Sequence, residues 1–303
     1  MGVFGRMLET QALLFLYILL GIAMVKLNIL KTEGRSSFIG LLNNITLPCM
    51  VLHAFEQDAR PETLIAAGKV LLISTGWYLA MWGVSKLLWR GQPGQRRAVL
   101  EFATMFSNAG NAGLPVVSLV FGDQGVLYAS FFLIPLRVLM WTVGLSLFVQ
   151  EPDGKIRWKE LLTNPNLLVV FIGIPMMLRG LHMPGVVSKM LSNVGAMTGP
   201  LSMMLIGASL AAAHPRDMLD REAWLLAALR LLILPLTAMG LLRLMGVEAL
   251  IWHVAVTLIA MPAAANTAII SEMYGHDYTF AARCVVVSTV LSLFTVPALA
   301  LLY

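Results

Sequence analysis

Charge is what this sequence has least of. Asp, Glu, Lys and Arg together make up 12% of 303 residues, where a soluble domain carries about a quarter, and 58% of the chain is hydrophobic. A chain so poor in charge cannot keep a full surface in water, which excludes an ordinary soluble protein and makes the bilayer its solvent. Cysteine is scarce too. Cys49 and Cys284 both fall inside apolar runs and lack metal-ligand spacing, which excludes a disulfide framework or a zinc site; they read as small buried hydrophobes. There is no HExxH, nucleophile elbow, Walker loop or dinucleotide fingerprint, so an enzyme reading has no catalytic pair to rest on, and nothing points to a cofactor or a resident metal. The net charge of +5 would suit nucleic acid, but the basic residues sit in short loops between apolar runs, where they set topology instead.

What the chain has in abundance is apolar runs of membrane-spanning length, roughly 20 residues each. Ten are predicted, at about 10–27, 38–55, 64–88, 98–121, 125–148, 162–181, 193–213, 223–245, 248–274 and 278–302. The first has no small-residue cleavage site behind it and runs into Lys26 and Lys31, which reads as a span and not a removed signal peptide. Three correspondences relate the halves. Gly21-Ile22-Ala23-Met24 matches Gly173-Ile174-Pro175-Met176 at an offset of 152, Thr46 and Pro48 match Thr198 and Pro200 at the same offset, and Phe121-Gly122 matches Tyr274-Gly275 at 153. The expected organisation is a five-span repeat over 1–149, a short cytoplasmic linker over 150–161 with a turn at Pro152-Asp153-Gly154, and a second repeat over 162–303. An odd number of spans inverts the second copy, the arrangement common among secondary transporters.

Basic residues give the orientation. Lys26, Lys31, Arg35, Lys86, Arg90, Arg96, Arg97, Lys155, Arg157, Lys159, Arg216 and Arg221 fall on one side, and Arg6, Arg60, Lys69, Arg179, Lys189 and Arg243 on the other. Twelve against six places the first set in the cytoplasm and both termini outside, and the acidic loop of Glu56, Asp58 and Glu62 then also lands outside. The expected location is the inner (plasma) membrane of a cell, crossed many times.

Two polar, helix-breaking runs interrupt this pattern: Phe106-Ser107-Asn108-Ala109-Gly110-Asn111-Ala112-Gly113-Leu114-Pro115 in the fourth span and Met261-Pro262-Ala263-Ala264-Ala265-Asn266-Thr267 in the ninth. Non-helical backbone at membrane depth survives only when buried in protein or lining a wet cavity, and paired interruptions in corresponding positions mark a transporter's binding site. The competing reading, a close glycine contact with Pro115 as a mere kink, explains one run but not the pair. Helices restarting after the breaks would aim their positive ends at the midplane, which favours a carboxylate or a similar anion. Arg137 lies about twelve residues into the fifth span, too deep to reach either interface, and a guanidinium there suits bidentate carboxylate recognition; a structural bond to broken-helix carbonyls is the alternative. Candidate binding residues are therefore Asn108, Asn111, Gly113, Pro115, Arg137, Pro262, Asn266 and Thr267. Arg230 and Arg283 sit a turn or two inside the membrane edge, where snorkelling accounts for them. His53 and His253 read as packing residues, and Glu101 and Glu272 as solvated groups near span ends.

The two interrupted motifs, Arg230 with Pro235, and Ser288-Thr289 through Pro297 resemble the auxin efflux carrier family over nearly the whole length, in the bacterial branch that includes malonate-type carriers and is related to plant PIN-formed proteins. The resemblance implies an all-α membrane protein of ten helices, with spans four and nine crossing at their breaks. It implies a scaffold of spans one, two, six and seven that forms a homodimer, a mobile domain of spans three to five and eight to ten, and elevator-type alternating access. It makes Asn108, Pro115, Pro262 and Asn266 crossover residues. Family members often carry Asn where Arg137 stands, a departure that argues against auxin itself and for a more anionic or differently shaped cargo. The expected function is secondary transport of a small organic anion, with the lipid bilayer and a second copy of the chain as the other partners. The alternatives are a sodium-coupled symporter of the related bile-acid type and a transporter-like membrane sensor.

Overall fold

The apolar runs become helices that end where Pro and Gly interrupt them. The structure is a computed structural model that describes residues 3–30, 32–57, 60–148, 165–211 and 220–303. The expected linker with its Pro152-Asp153-Gly154 turn lies outside the described residues, as do Lys31, Asp58, Lys155, Arg157, Lys159 and Arg216 of the orientation argument. In chain order the helices are α1 (Val3–Lys26), α2 (Thr32–Leu41), α3 (Leu47–Ala54), α4 (Pro61–Leu88), α5 (Gly94–Met105), α6 (Leu114–Leu139), α7 (Pro165–Leu178), α8 (Gly185–Ala196), α9 (Thr198–Ala211), α10 (Arg221–Ala228), α11 (Leu234–Leu244), α12 (Ala249–Ile259), α13 (Asn266–Met273) and α14 (Tyr278–Ala300). Wider π-helical turns precede α3 (Leu42–Thr46), precede α6 (Ala109–Gly113), follow α6 (Met140–Gly144) and join α10 to α11 (Leu229–Ile233). Among the described residues there is no strand, and extended pairing is confined to one isolated antiparallel bridge.

Among the described residues five helical stretches are long and apolar enough to cross a membrane: Ser37–Ala54, Pro61–Leu88, Ala109–Gly144, Arg221–Leu244 and Tyr278–Ala300. Shorter apolar helices cover Ala12–Lys26, Leu168–Leu178 and Ala249–Ile259. Of the ten runs expected from the sequence, 98–121 and 248–274 are cut by breaks, 125–148 is joined to the second half of 98–121 in the single stretch Ala109–Gly144, and 10–27, 162–181 and 193–213 do not qualify among the described residues. Run 98–121 is divided between α5 and the helix that begins at Ala109, and run 248–274 between α12 and α13.

The chain divides into two compact units, Met1–Val70 with Asn111–Phe131 and Leu162–Ala212, and Leu71–Gly110 with Phe132–Leu161 and Ala213–Tyr303. In the first unit α1 lies against α9 and α3 against both α7 and α8. Small residues allow this: a Cβ on Gly21 would lie 2.1 Å from the Met204 carbonyl oxygen, one on Gly195 2.8 Å from Met50 Cα, and one on Gly173 2.5 Å from the Phe55 ring. His53 Nδ1 and Ser188 Oγ both meet Glu56 Oε2, at 2.8 and 2.6 Å, so His53 is the hydrogen-bonded packing residue that its position implies. Within α6 the backbone departs from helix at Gly122 (φ 63°, ψ −160°), a conformation almost confined to glycine. Gly122→Ala should therefore destabilise the protein by about 1–3 kcal/mol, seen as a lowered Tm in detergent with no change in helix content.

In the second unit the N-terminal ends of α5, α10 and α14 are tied by charge. Arg96 Nη1 meets Glu222 Oε2 at 2.8 Å and its Nε lies 3.7 Å from Asp277 Oδ2. Arg283 Nη1 lies 3.9 Å from Asp220 Oδ2, so this arginine is ion-paired and the snorkelling explanation fails. Glu101 also departs from expectation: it is buried, and the Arg97 Nε at 2.6 Å supplies its counter-charge. An aromatic cluster fills the interior, with Tyr78 against Phe106 and Phe132 at centroid distances of 6.3 and 5.7 Å, and Phe102 against Phe106 and Phe148 at 4.8 and 5.5 Å.

Candidate functional site

Both polar interruptions fall where a helix stops and another starts. The first break is short: Phe106 is extended (φ −110°, ψ 119°), the backbone is non-helical only over 106–108, and the π-turn Ala109–Gly113 then leads into α6. The expectation of an unwound run through residue 115 is thereby corrected. Asn111 and Gly113 lie in a wide helical turn, and Pro115 follows it as the second residue of α6. The second break covers 260–265, and α13 begins at Asn266.

The two breaks pair with each other. The Asn108 N–H donates to the Pro262 carbonyl at 2.8 Å and the Ala264 N–H to the Phe106 carbonyl at 3.1 Å, which sets Ser107 opposite Ala263 in an antiparallel bridge. Extended backbone here meets the demand that polar groups away from water be bonded. Two serines finish the junction. Ser107 Oγ donates to the Leu258 carbonyl at 2.9 Å, and Ser288 Oγ of α14 accepts the Ala263 N–H at 3.1 Å. The last carbonyls of a helix lack partners within it, and Ser107 supplies one for α12.

Arg230 supplies more. Its guanidinium is buried, with 3% of the residue exposed. Nη1 donates to the Thr104 carbonyl at 2.6 Å and the Ala103 carbonyl at 3.4 Å, and Nη2 to the Ile259 carbonyl at 3.3 Å. One cation thus serves the C-terminal ends of both α5 and α12, and snorkelling is the wrong description of it. Sequence depth places Arg230 near a membrane edge; only the path of α5 and α12 reveals which carbonyls it meets. Thr104 is fixed a second time, by the Trp89 indole N–H on its hydroxyl at 2.9 Å.

Arg137 differs from Arg230. It too is buried, with 8% exposed, but it has no hydrogen-bond or ion-pair partner among the described residues. Its Nη2 lies 4.0 Å from where a Cβ on Gly110 would stand, so the guanidinium faces the turn that follows the first break. One helical turn on, Met140 Sδ accepts the Asn266 amide at 3.2 Å, a weak partner for a strong donor. On α13 the hydroxyls of Thr267 and Ser271, one turn apart, are buried without a hydrogen-bond partner. The second unit therefore gathers Asn108, Arg137, Pro262, Asn266 and Thr267, whereas Asn111, Gly113 and Pro115 belong to the first. The Arg137 guanidinium, the Asn266 amide and the Thr267 and Ser271 hydroxyls are thus donors with capacity to spare among the described residues.

Comparison with known proteins identifies the family. The chain matches the membrane transport protein family over residues 7–156 and 154–300. It is 26% identical over 294 residues to an uncharacterized transporter of Methanothermobacter thermautotrophicus, covering 95% of this chain and 96% of that protein. It is 28% identical over 206 residues to an uncharacterized transporter of Methanocaldococcus jannaschii, covering 65% of each. The chain belongs to this membrane transport protein family, that of the auxin efflux carriers, and is a membrane transporter and not an enzyme.

Proposed function

We propose that the protein is a secondary transporter for a small organic anion, a carboxylate, held in the second unit beside the paired breaks. The observation that carries this reading is the buried Arg137 guanidinium, without a partner among the described residues and facing Gly110. An uncompensated charge in a low-dielectric interior is expensive, and an anionic cargo would supply the missing partner through two parallel hydrogen bonds. Asn108 and Asn266 add amide donors and Thr267 a hydroxyl. Pro262 lies inside the second break and helps to keep α12 from continuing into α13.

In this reading the protein is built from two inverted five-span repeats. Local features support it: the matched glycines Gly122 and Gly275 both have positive φ, 63° and 67°, and within the first unit α1 meets α9 while α7 meets α3, the exchange of partners that a twofold relation requires. Spans one, two, six and seven form a dimerising scaffold, the remaining spans a mobile domain, and cargo crosses by elevator-type alternating access with both termini outside the inner membrane. The test is a panel of mono- and dicarboxylates assayed for thermal stabilisation of the detergent-solubilised protein. At least one carboxylate should raise Tm while its neutral amide does not. Stabilisation by neutral or cationic solutes with none by carboxylates would overturn the assignment.

A further inference from the structure

In broken-helix carriers, freed carbonyls and the C-terminal ends of half-helices are where a coupling cation binds, because both concentrate negative partial charge. In this protein two such ends, those of α5 and α12, converge on one point, and a side chain already occupies it. Arg230 Nη1 takes the Thr104 and Ala103 carbonyls and Nη2 the Ile259 carbonyl, with the residue 3% exposed. The guanidinium is charged at every pH the protein meets. It comes from the π-turn Leu229–Ile233, so it is delivered by a third helix and bridges the other two.

We propose that Arg230 is a tethered cation standing where a coupling metal ion would bind, so that the folded protein takes up no sodium at this point. The guanidinium neutralises both half-helix ends at once, and its planar fork reaches carbonyls on two chain segments that a single ammonium cannot span. It is a positioning residue: it touches the backbone that forms the paired breaks, not the cargo. Ser107 and Ser288 use hydroxyls for neighbouring groups, so Arg230 alone brings full positive charge to these carbonyls among the described residues.

The experiment is thermal unfolding of the full chain in detergent, with no carboxylate present, so that its failure leaves the anion reading standing and the failure of that reading leaves this one. Arg230→Ala should lower Tm by roughly 5–10 °C. Low-millimolar guanidinium should restore at least half of the loss, whereas urea, of the same shape without the charge, should restore none. Arg230→Lys, which keeps the charge, should fold and lose less than Arg230→Ala; it decides the matter if Arg230→Ala yields no folded protein. The wild type should melt at the same temperature in sodium, potassium and choline chloride at matched ionic strength. Rescue by urea as good as by guanidinium, Arg230→Lys no better than Arg230→Ala, or a sodium-specific rise in the wild-type Tm would each overturn the proposal.

Discussion

Gly207→Leu should leave little or no folded protein. A Cβ at this position would lie 2.0 Å from the Ile18 carbonyl oxygen and 3.1 Å from Gly21 Cα, and a helical backbone cannot swing such an oxygen aside as a side chain can be swung. The relief would have to come from separating α1 and α9 along their whole contact. Overpacking an interior costs about 1–3 kcal/mol even when side chains can give way, and here none of the obstructing atoms belongs to a side chain. A loss of about 3 kcal/mol or more is expected from a total stability of roughly 5–15. In a membrane such contacts between small residues stand in for the hydrophobic drive that lipid removes. Gly240→Leu is the control, since nothing lies within 4 Å of its added Cβ. Size-exclusion profiles and melting curves in detergent distinguish the two: Gly207→Leu should aggregate or melt far below wild type, and Gly240→Leu should melt beside it.

Arg137→Gln should abolish carboxylate-induced stabilisation while leaving the fold intact. The two halves of this expectation come from the same geometry. Arg137 has no partner among the described residues, so its removal orphans no acidic group and relieves an unpaired buried charge; Tm without ligand should stay level or rise. A bound carboxylate would lose two charge-assisted hydrogen bonds, each worth about 1.5–3 kcal/mol, which corresponds to at least about 100-fold in affinity. Arg137→Lys should fall between, because an ammonium offers a point charge and no planar fork. Equal stabilisation of wild type and Arg137→Gln by the same carboxylate would remove Arg137 from the site.

The interruptions at 106–115 and 261–267 are legible in the sequence because Asn, Gly and Pro have no business in lipid unless something holds them. Gly21 and Gly173 are legible as a repeated signal, although not as contacts: the first meets the backbone of α9 and the second the ring of Phe55. The extent of the first break is not legible, because Asn111 and Gly113 are accommodated by a π-turn, which no residue spacing announces. Arg230, Arg283 and Glu101 are misread for a single reason. Distance along a span from its edge says how far a charge must reach for water, but not whether another helix brings a carbonyl or a counter-ion closer. Depth in the sequence identifies an anomalous charge; only tertiary approach identifies its partner.

A site between the two interruptions exists only if they lie against one another. Ser107 and Ala263 face each other as a pair whose flanking residues carry the hydrogen bonds, a position where Cα atoms stand about 4.5 Å apart, within reach of a disulfide. With Cys49 and Cys284 replaced by alanine, the double variant Ser107→Cys/Ala263→Cys should cross-link under mild oxidation in the membrane, giving an intact-mass loss of two hydrogens and no thiol left for alkylation. Two cysteines that stay free and fully alkylated under conditions that oxidise an exposed pair would contradict the account, because breaks that do not meet enclose no site.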